Sequence, residues 1–171
     1  RRGGPYANSA VVVTVHSEDF RDTQTPPICG LEFRRHWERI AFILGGENYC
    51  APAQRLVDFL RDRAGGLPIL SSFSPGVKSV LLRDALPQFA VEAIKQGFIE
   101  FDRKMRGFIT EDAILIGVET RTSSPVRIVR GPDCQSISVA GLYPCGEGAG
   151  YAGGIISSAL DGIRVAEKAA T

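Results

Sequence analysis

The sequence predicts an α/β protein, and three observations carry that prediction. Near the C-terminus an apolar run from Ile137 to Cys145 reads as a buried strand, enters a loop with five glycines, and gives way to Ile155, Ile156, Ala159, Leu160, Ile163 and Ala166 at helical spacing. Near the other end, the β-branched run Ser9-Ala-Val-Val-Val-Thr-Val15 reads as a sheet strand, bounded by Pro5 and by Ser17-Glu-Asp19. Between them lie two long stretches with one apolar face each, which are amphipathic helices.

The first of these runs from Leu31 to Leu44, after the breaker Pro26-Pro27. Trp37, Ile40, Ala41 and Leu44 share a face, Arg34, Arg35 and Glu38 lie elsewhere, and Gly45-Gly46 supplies the stop. The basic run Arg34-Arg-His36 reads as the solvated side of that helix rather than a phosphate grip. His16, at the end of the first strand, reads as an edge residue. The loop from Gly45 to Gln54 leads to a second helix, with Pro52 in its first turn and Gly65-Gly66 past its end. Asn48, Tyr49 and Gln54 either line a pocket or cap the helix and its loop.

Pro68 to Phe73 reads as extended, and Ser74-Pro-Gly76 as a turn. Pro87 opens the longest helical stretch, where Phe89, Ala90, Ala93, Ile94, Phe98 and Phe101 form a stripe closed by Gly107. Their helical spacing marks core packing rather than an aromatic cofactor box. From Ala113 the pattern returns to strands, Ile114 to Val118 and Val126 to Val129, before the turn Gly131-Pro-Asp133. No internal repeat or low-complexity linker interrupts the chain.

A chain of 171 residues, 44% hydrophobic and 23% charged, can bury one moderate core or two small lobes. Twenty basic residues against nineteen acidic ones leave no field to recruit nucleic acid or an anionic membrane surface. Cys29, Cys50, Cys134 and Cys145 have no C-x-x-C spacing and only His16 and His36 to join them, so no metal site is expected. With no secretory signal, the thiols read as reduced, in the cytoplasm or another reducing compartment such as a plastid. No apolar run approaches the ~20 residues needed to span a bilayer.

Two stretches carry chemistry. The glycine loop can bring unpaired backbone N–H groups at a helix N-terminus up to a ligand, although a tight strand-to-helix turn needs glycines too. Within it, Gly148-Ala-Gly-Tyr-Ala-Gly153 matches G-x-G-x-x-G, but that fingerprint also requires a following strand with an acidic residue about 20 positions on. The sequence stops at Thr171, so an NAD site here ranks last. The second stretch, Thr120-Arg-Thr-Ser-Ser124, concentrates a guanidinium and four hydroxyls. A fixed arginine can hold an anionic substrate bidentately; alternatively the hydroxyls satisfy local backbone and Arg127 lies on an exposed strand face.

Tyr143-Pro-Cys-Gly-Glu-Gly-Ala-Gly-Tyr-Ala-Gly-Gly-Ile155 and Glu119-Thr-Arg-Thr-Ser-Ser-Pro-Val-Arg127, with Tyr6-Ala-Asn-Ser-Ala10, Gly45-Gly-Glu-Asn-Tyr49 and Ala51-Pro-Ala-Gln54, resemble the C-terminal part of a largely uncharacterised family of FAD-dependent dehydrogenases. These are NAD(P)/FAD-dependent oxidoreductases related to the two-dinucleotide-binding-domain flavoproteins. The resemblance implies FAD as cofactor. It also implies two parts, a substrate-side α+β lobe over 1–110 and, over 111–171, the C-terminal strand, loop and helix of a Rossmann-like FAD-binding domain.

Carried over by position, the resemblance makes Gly146 and Glu147 the Gly-acidic pair whose carboxylate accepts hydrogen bonds from ribityl hydroxyls. Gly148 then lies in the loop, and Gly153, Gly154 and Ile155 start a helix aimed at the flavin's pyrimidine edge. Arg121, Ser123, Ser124 and Arg127 become candidate contacts to a small-molecule substrate, anionic if Arg121 pairs with it. The family also carries an upstream glycine-rich motif for the FAD pyrophosphate, and nothing before Gly131 supplies one. The expectation is a C-terminal fragment, inactive by itself. The alternative is a flavin-free remnant serving as an interaction module or pseudoenzyme. Hydride transfer to a flavin needs no protein nucleophile, so no catalytic residue is named.

Overall fold

The computed structural model describes residues 3–20, 27–65 and 70–170. The α/β prediction holds: helices accompany a small mixed sheet of three strands. The chain divides into two compact units, Arg1–His16 with Arg35–Glu119, and Ser17–Arg34 with Thr120–Thr171. The helix expected after Pro27 is α1, Cys29–Gly45. Pro26, Gly66, Pro68 and Thr171, which the sequence reading also used, lie outside the described residues.

In the first unit the central strand is β1, Ala51–Arg55, flanked by β2, Val77–Ser79, in parallel and β3, Ile114–Ile116, antiparallel. This corrects the expected second helix, because Pro52 lies in a strand. The β1–β3 pairing begins with Ala53 opposite Ile116, so the missing N–H of Pro52 falls beyond its end, and its carbonyl accepts from Gly117 N–H at 3.0 Å. The helix that follows, α2, is a short Leu56–Leu60.

Phe59, Leu82 and Val91 form the centre of this unit's core, covered by Val80, Leu86, Ile94 and Leu115. Gln54 is buried among them and each end of its amide has a partner: Oε1 accepts Leu82 N–H at 2.9 Å and Nε2 donates to the Arg63 carbonyl at 2.8 Å. A polar side chain tolerates such burial only when both ends are satisfied. Of the two roles open to Gln54, the structure assigns one of internal support.

The longest helix, α3, covers Gln88–Lys104 with Pro87 at its N-cap, as the sequence predicts. Its aromatic stripe packs internally, with Phe98 and Phe101 edge to face at 6.3 Å and both rings near Phe108. Beyond the helix, Gly107 takes a φ of +88° and Asp102 accepts the N–H groups of Gly107 and Ile109.

Three predicted strands do not form. Residues 9–16 run irregularly with Val12 and Val15 exposed, because the β-branched run meets no partner strand among the described residues. In the second unit, Ile137–Cys145 is a series of turns and Val126–Val129 forms no ladder; their one ordered meeting is an isolated bridge, Arg130 with Ser136. Local bonds close these loops instead: Ser136 N–H reaches the Leu142 carbonyl, and Gly131 N–H the Gln135 carbonyl. Ile137 is consequently 69% exposed rather than buried.

The C-terminal helix, α4, starts at Ile155 and runs to Ala169, with Gly154 as N-cap. The Ser157 hydroxyl closes the first turn by accepting Gly154 N–H at 3.1 Å. Ile156, Leu160 and Ile163 lie exposed, whereas Val165 is buried and Asp161 nearly so. The more apolar face of α4 thus points away from the unit to which it belongs.

Candidate functional site

The glycine loop owes its path to two left-handed turns, at Gly146 (φ +68°) and Gly150 (φ +83°). Tyr151 N–H donates to the Gly146 carbonyl and Gly150 N–H to the Glu147 carbonyl, both at 3.0 Å, which folds the segment back on itself. Gly150 lies so close to the neighbouring segment that a Cβ there would stand 2.5 Å from the Val126 carbonyl oxygen.

The structure brings together the two stretches that the sequence singled out, almost residue against residue. Arg121 pairs with Glu147 at 3.5 Å, with 45% and 34% of their side chains exposed. The Ser124 hydroxyl lies 2.9 Å from the Val126 carbonyl and 3.2 Å from that of Gly148, one proton serving both. Arg127 donates from Nε to the Gly150 carbonyl at 2.9 Å and lies 5.0 Å from the centre of the Tyr151 ring. Ser123 stands beside Gly153, its Oγ 3.5 Å from where a Cβ would be.

A second layer, which the sequence reading missed, lies beneath. Arg130 and Asp161 expose only 7% and 12% of their side chains and form a two-pronged pair at 2.6 and 3.0 Å. Arg130 also donates to the Pro144 carbonyl at 2.6 Å, and Asp161 accepts Gly146 N–H at 2.9 Å. Tyr151 stacks under the Arg130 guanidinium at 3.7 Å while its hydroxyl accepts Arg130 N–H and donates to the Ile128 carbonyl. The Arg130 hydrogen bonds, then the Gly146 amide, hold the Asp161 carboxyl down at about 2, and Asp161 in turn raises Arg130. One sequence signal was available: Asp161 is the lone acid between Ile155 and Val165, on the opposite side of the helix from its exposed isoleucines.

At the N-terminus of α4 the N–H groups of Ile155 and Ile156 have no protein acceptor among the described residues. The first-turn donors of any helix are left over in this way and carry about half a positive charge between them. Gly153 and Gly154 are exposed in front of them. The loop and helix start thus offer a carboxylate that can accept from hydroxyls and a set of backbone N–H groups that can donate to an anionic or carbonyl edge. That donor set suits the ribityl and ring-edge half of a flavin; the diphosphate half would need another loop. Among the described residues, no three His, Cys, Asp or Glu side chains cluster to hold a metal, and no helix is long and apolar enough to cross a membrane.

The chain is an α/β protein in which a glycine loop with an acidic residue opens a helix. More closely, residues 1–122 match the family described as "FAD-dependent protein, C-terminal domain-like", and the chain belongs to that family. It is also 53% identical over 163 residues to an uncharacterized protein of Clostridium beijerinckii, a match that takes in 94% of this chain and 30% of that relative. The chain therefore spans less than a third of the length of the relative it matches.

Proposed function

We propose that this chain is the C-terminal portion of an FAD-dependent oxidoreductase of the dehydrogenase type, and that its second unit completes a Rossmann-like flavin-binding domain. The observation that carries this reading is the partly exposed carboxylate of Glu147 on the glycine loop that leads into α4, whose first amides, Ile155 and Ile156 N–H, are unpaired among the described residues. Glu147 accepts hydrogen bonds from the ribityl hydroxyls. Gly148, Gly153 and Gly154 would keep the approach clear, and the amides of Ile155 and Ile156 would hold the pyrimidine edge, where the helix charge would favour the reduced cofactor. Gly146 contributes its conformation, because its N–H is committed to Asp161.

FAD supplies the hydride acceptor, and this chain binds, orients and excludes water. Arg121 and Ser123 are placed to meet a small, anionic substrate, while Ser124 and Arg127 shape the loop from behind. The Arg121–Glu147 pair is exposed and worth little by itself, so a ligand can displace it. Family membership and the partial coverage of the relative support a longer polypeptide that provides the diphosphate site.

The test is flavin retention by the full-length gene product. Glu147→Ala should weaken FAD binding by about 10- to 100-fold, since hydrogen bonds to a charged acceptor are worth roughly 1.5–3 kcal/mol. Unchanged retention in a folded variant would remove Glu147 from the cofactor site. A full-length parent that purifies without flavin and takes none up would instead favour a flavin-free interaction module.

A further inference from the structure

Glu147 is exposed enough to meet a ligand, and four backbone groups around it are held by the protein. The Gly146 N–H goes to Asp161, the Gly146 carbonyl receives Tyr151 N–H, and the Glu147 carbonyl receives Gly150 N–H. On the other side of Cys145, the Pro144 carbonyl is held by Arg130. Arg130 and Asp161 thus grip the chain at two points, 144 and 146, immediately before the acidic residue, and both side chains are nearly buried. Neither is on the exposed side where Arg121 meets Glu147.

We propose that the Arg130–Asp161 pair is the positioning element of this site: it touches no ligand, but fixes the left-handed Gly146 turn and so sets the direction of the Glu147 carboxylate. The inference rests on the flavin-binding reading. A contact residue must be held within about half an ångström of its productive geometry, and buried partners behind it do that holding. A glycine at φ +68° has wide freedom, so its conformation is set by its hydrogen bonds rather than by its own sterics. A buried ion pair is weak evidence for stability but a directional one, since both prongs and the guanidinium plane must align. Tyr151, stacked on Arg130 and bonded to the backbone at 128 and 130, keeps that plane fixed.

The test is a double-mutant cycle on the full-length protein with Asp161→Asn, Glu147→Gln and the two combined. The readouts are the Kd for FAD by flavin fluorescence and the unfolding midpoint of the flavin-free protein. Asn keeps an oxygen for the Gly146 N–H and loses the charge that aligns Arg130. Each single substitution should weaken FAD by about 10- to 100-fold, and the double should be no more than about threefold worse than the weaker single, because both act through one carboxylate. The unfolding midpoints should add independently.

Losses of affinity that multiply, or an Asp161→Asn protein that binds FAD like its parent, would overturn the positioning role and leave the flavin reading standing. A Glu147→Gln protein with full affinity, or a parent that takes up no FAD, would overturn the flavin reading and this inference with it. If Asp161→Asn does not fold, Arg130→Lys runs the same cycle with the Asp161–Gly146 bond left in place.

Discussion

The three glycines of the G-x-G-x-x-G match have different physical reasons to be glycine, and alanine substitution should separate them. At Gly150 the backbone is left-handed (φ +83°), and a Cβ would lie 2.5 Å from the Val126 carbonyl oxygen and 3.0 Å from Arg127 Cα. The left-handed conformation alone costs an L-residue about 1–2 kcal/mol. The clash is with backbone, which cannot swing aside, so relieving it moves the two stretches apart and adds a penalty of about 1–3 kcal/mol. Gly150→Ala should therefore destabilise by roughly 2–5 kcal/mol, which for a chain of this size lowers the melting temperature by on the order of 5–20 °C. Gly148→Ala is the control: no heavy atom lies within 4 Å of its Cβ and its φ is not positive, so the change should stay within about 0.5 kcal/mol. Gly153→Ala meets only Ser123 Oγ at 3.5 Å, an ordinary contact, and should melt like the parent while obstructing any ligand that approaches α4. Circular dichroism melts of the three variants decide the matter. A Gly150→Ala protein melting within 2 °C of the parent would show that the loop does not pack as described, whatever it binds.

Two further predictions concern buried polar groups. Asp161 has a folded-state value of about 2, below the unfolded value near 4, so its contribution is fully present above about pH 5 and is lost as pH falls through 4 towards 2. The charged groups that face it are Arg130 and Arg164, and both lower it. Urea midpoints measured from pH 7 to pH 2 should therefore fall by the equivalent of roughly 2 kcal/mol in the parent. In Asp161→Asn they should fall less, and equal slopes would refute the pairing. Gln54→Leu keeps the volume but leaves Leu82 N–H and the Arg63 carbonyl unpaired, which should cost about 2–4 kcal/mol in chemical unfolding; a loss under 1 kcal/mol would mean that water or the backbone replaces the amide.

The helices were legible because their signals are local. Pro87, the stripe ending at Phe101 and Gly107 bracket α3, and Gly154 followed by an apolar repeat marks the start of α4. The strands were not, because a strand exists only when something pairs with it. Val11 to Val15 and Ile137 to Cys145 have the composition of strands and stand without ladders. Conversely, Ala51-Pro-Ala-Gln-Arg55, which has almost no β-propensity, becomes the centre of a sheet because β2 and β3 flank it. The candidate site was half legible. Glycines, Glu147 and the Arg121 to Arg127 stretch announce themselves by residue type, whereas Arg130 and Asp161 act through a contact thirty-one positions apart in sequence, which no spacing rule finds.

The exposures in the second unit bear on what α4 is built to do. An amphipathic helix ordinarily buries its most apolar face, yet Ile155 is 89% exposed and Ile156, Leu160 and Ile163 follow it outward, while the side carrying Asp161 and Val165 is the one turned in. Helix propensity does not explain the choice, since both faces belong to the same segment; the Arg130–Asp161 bond does, because a buried arginine without its carboxylate would be far costlier than four exposed aliphatic side chains. The pair therefore orients the helix as well as the loop. That orientation leaves the stripe Ile155, Ile156, Leu160 and Ile163 exposed along the helix, at the cost of apolar surface that the buried ion pair outweighs.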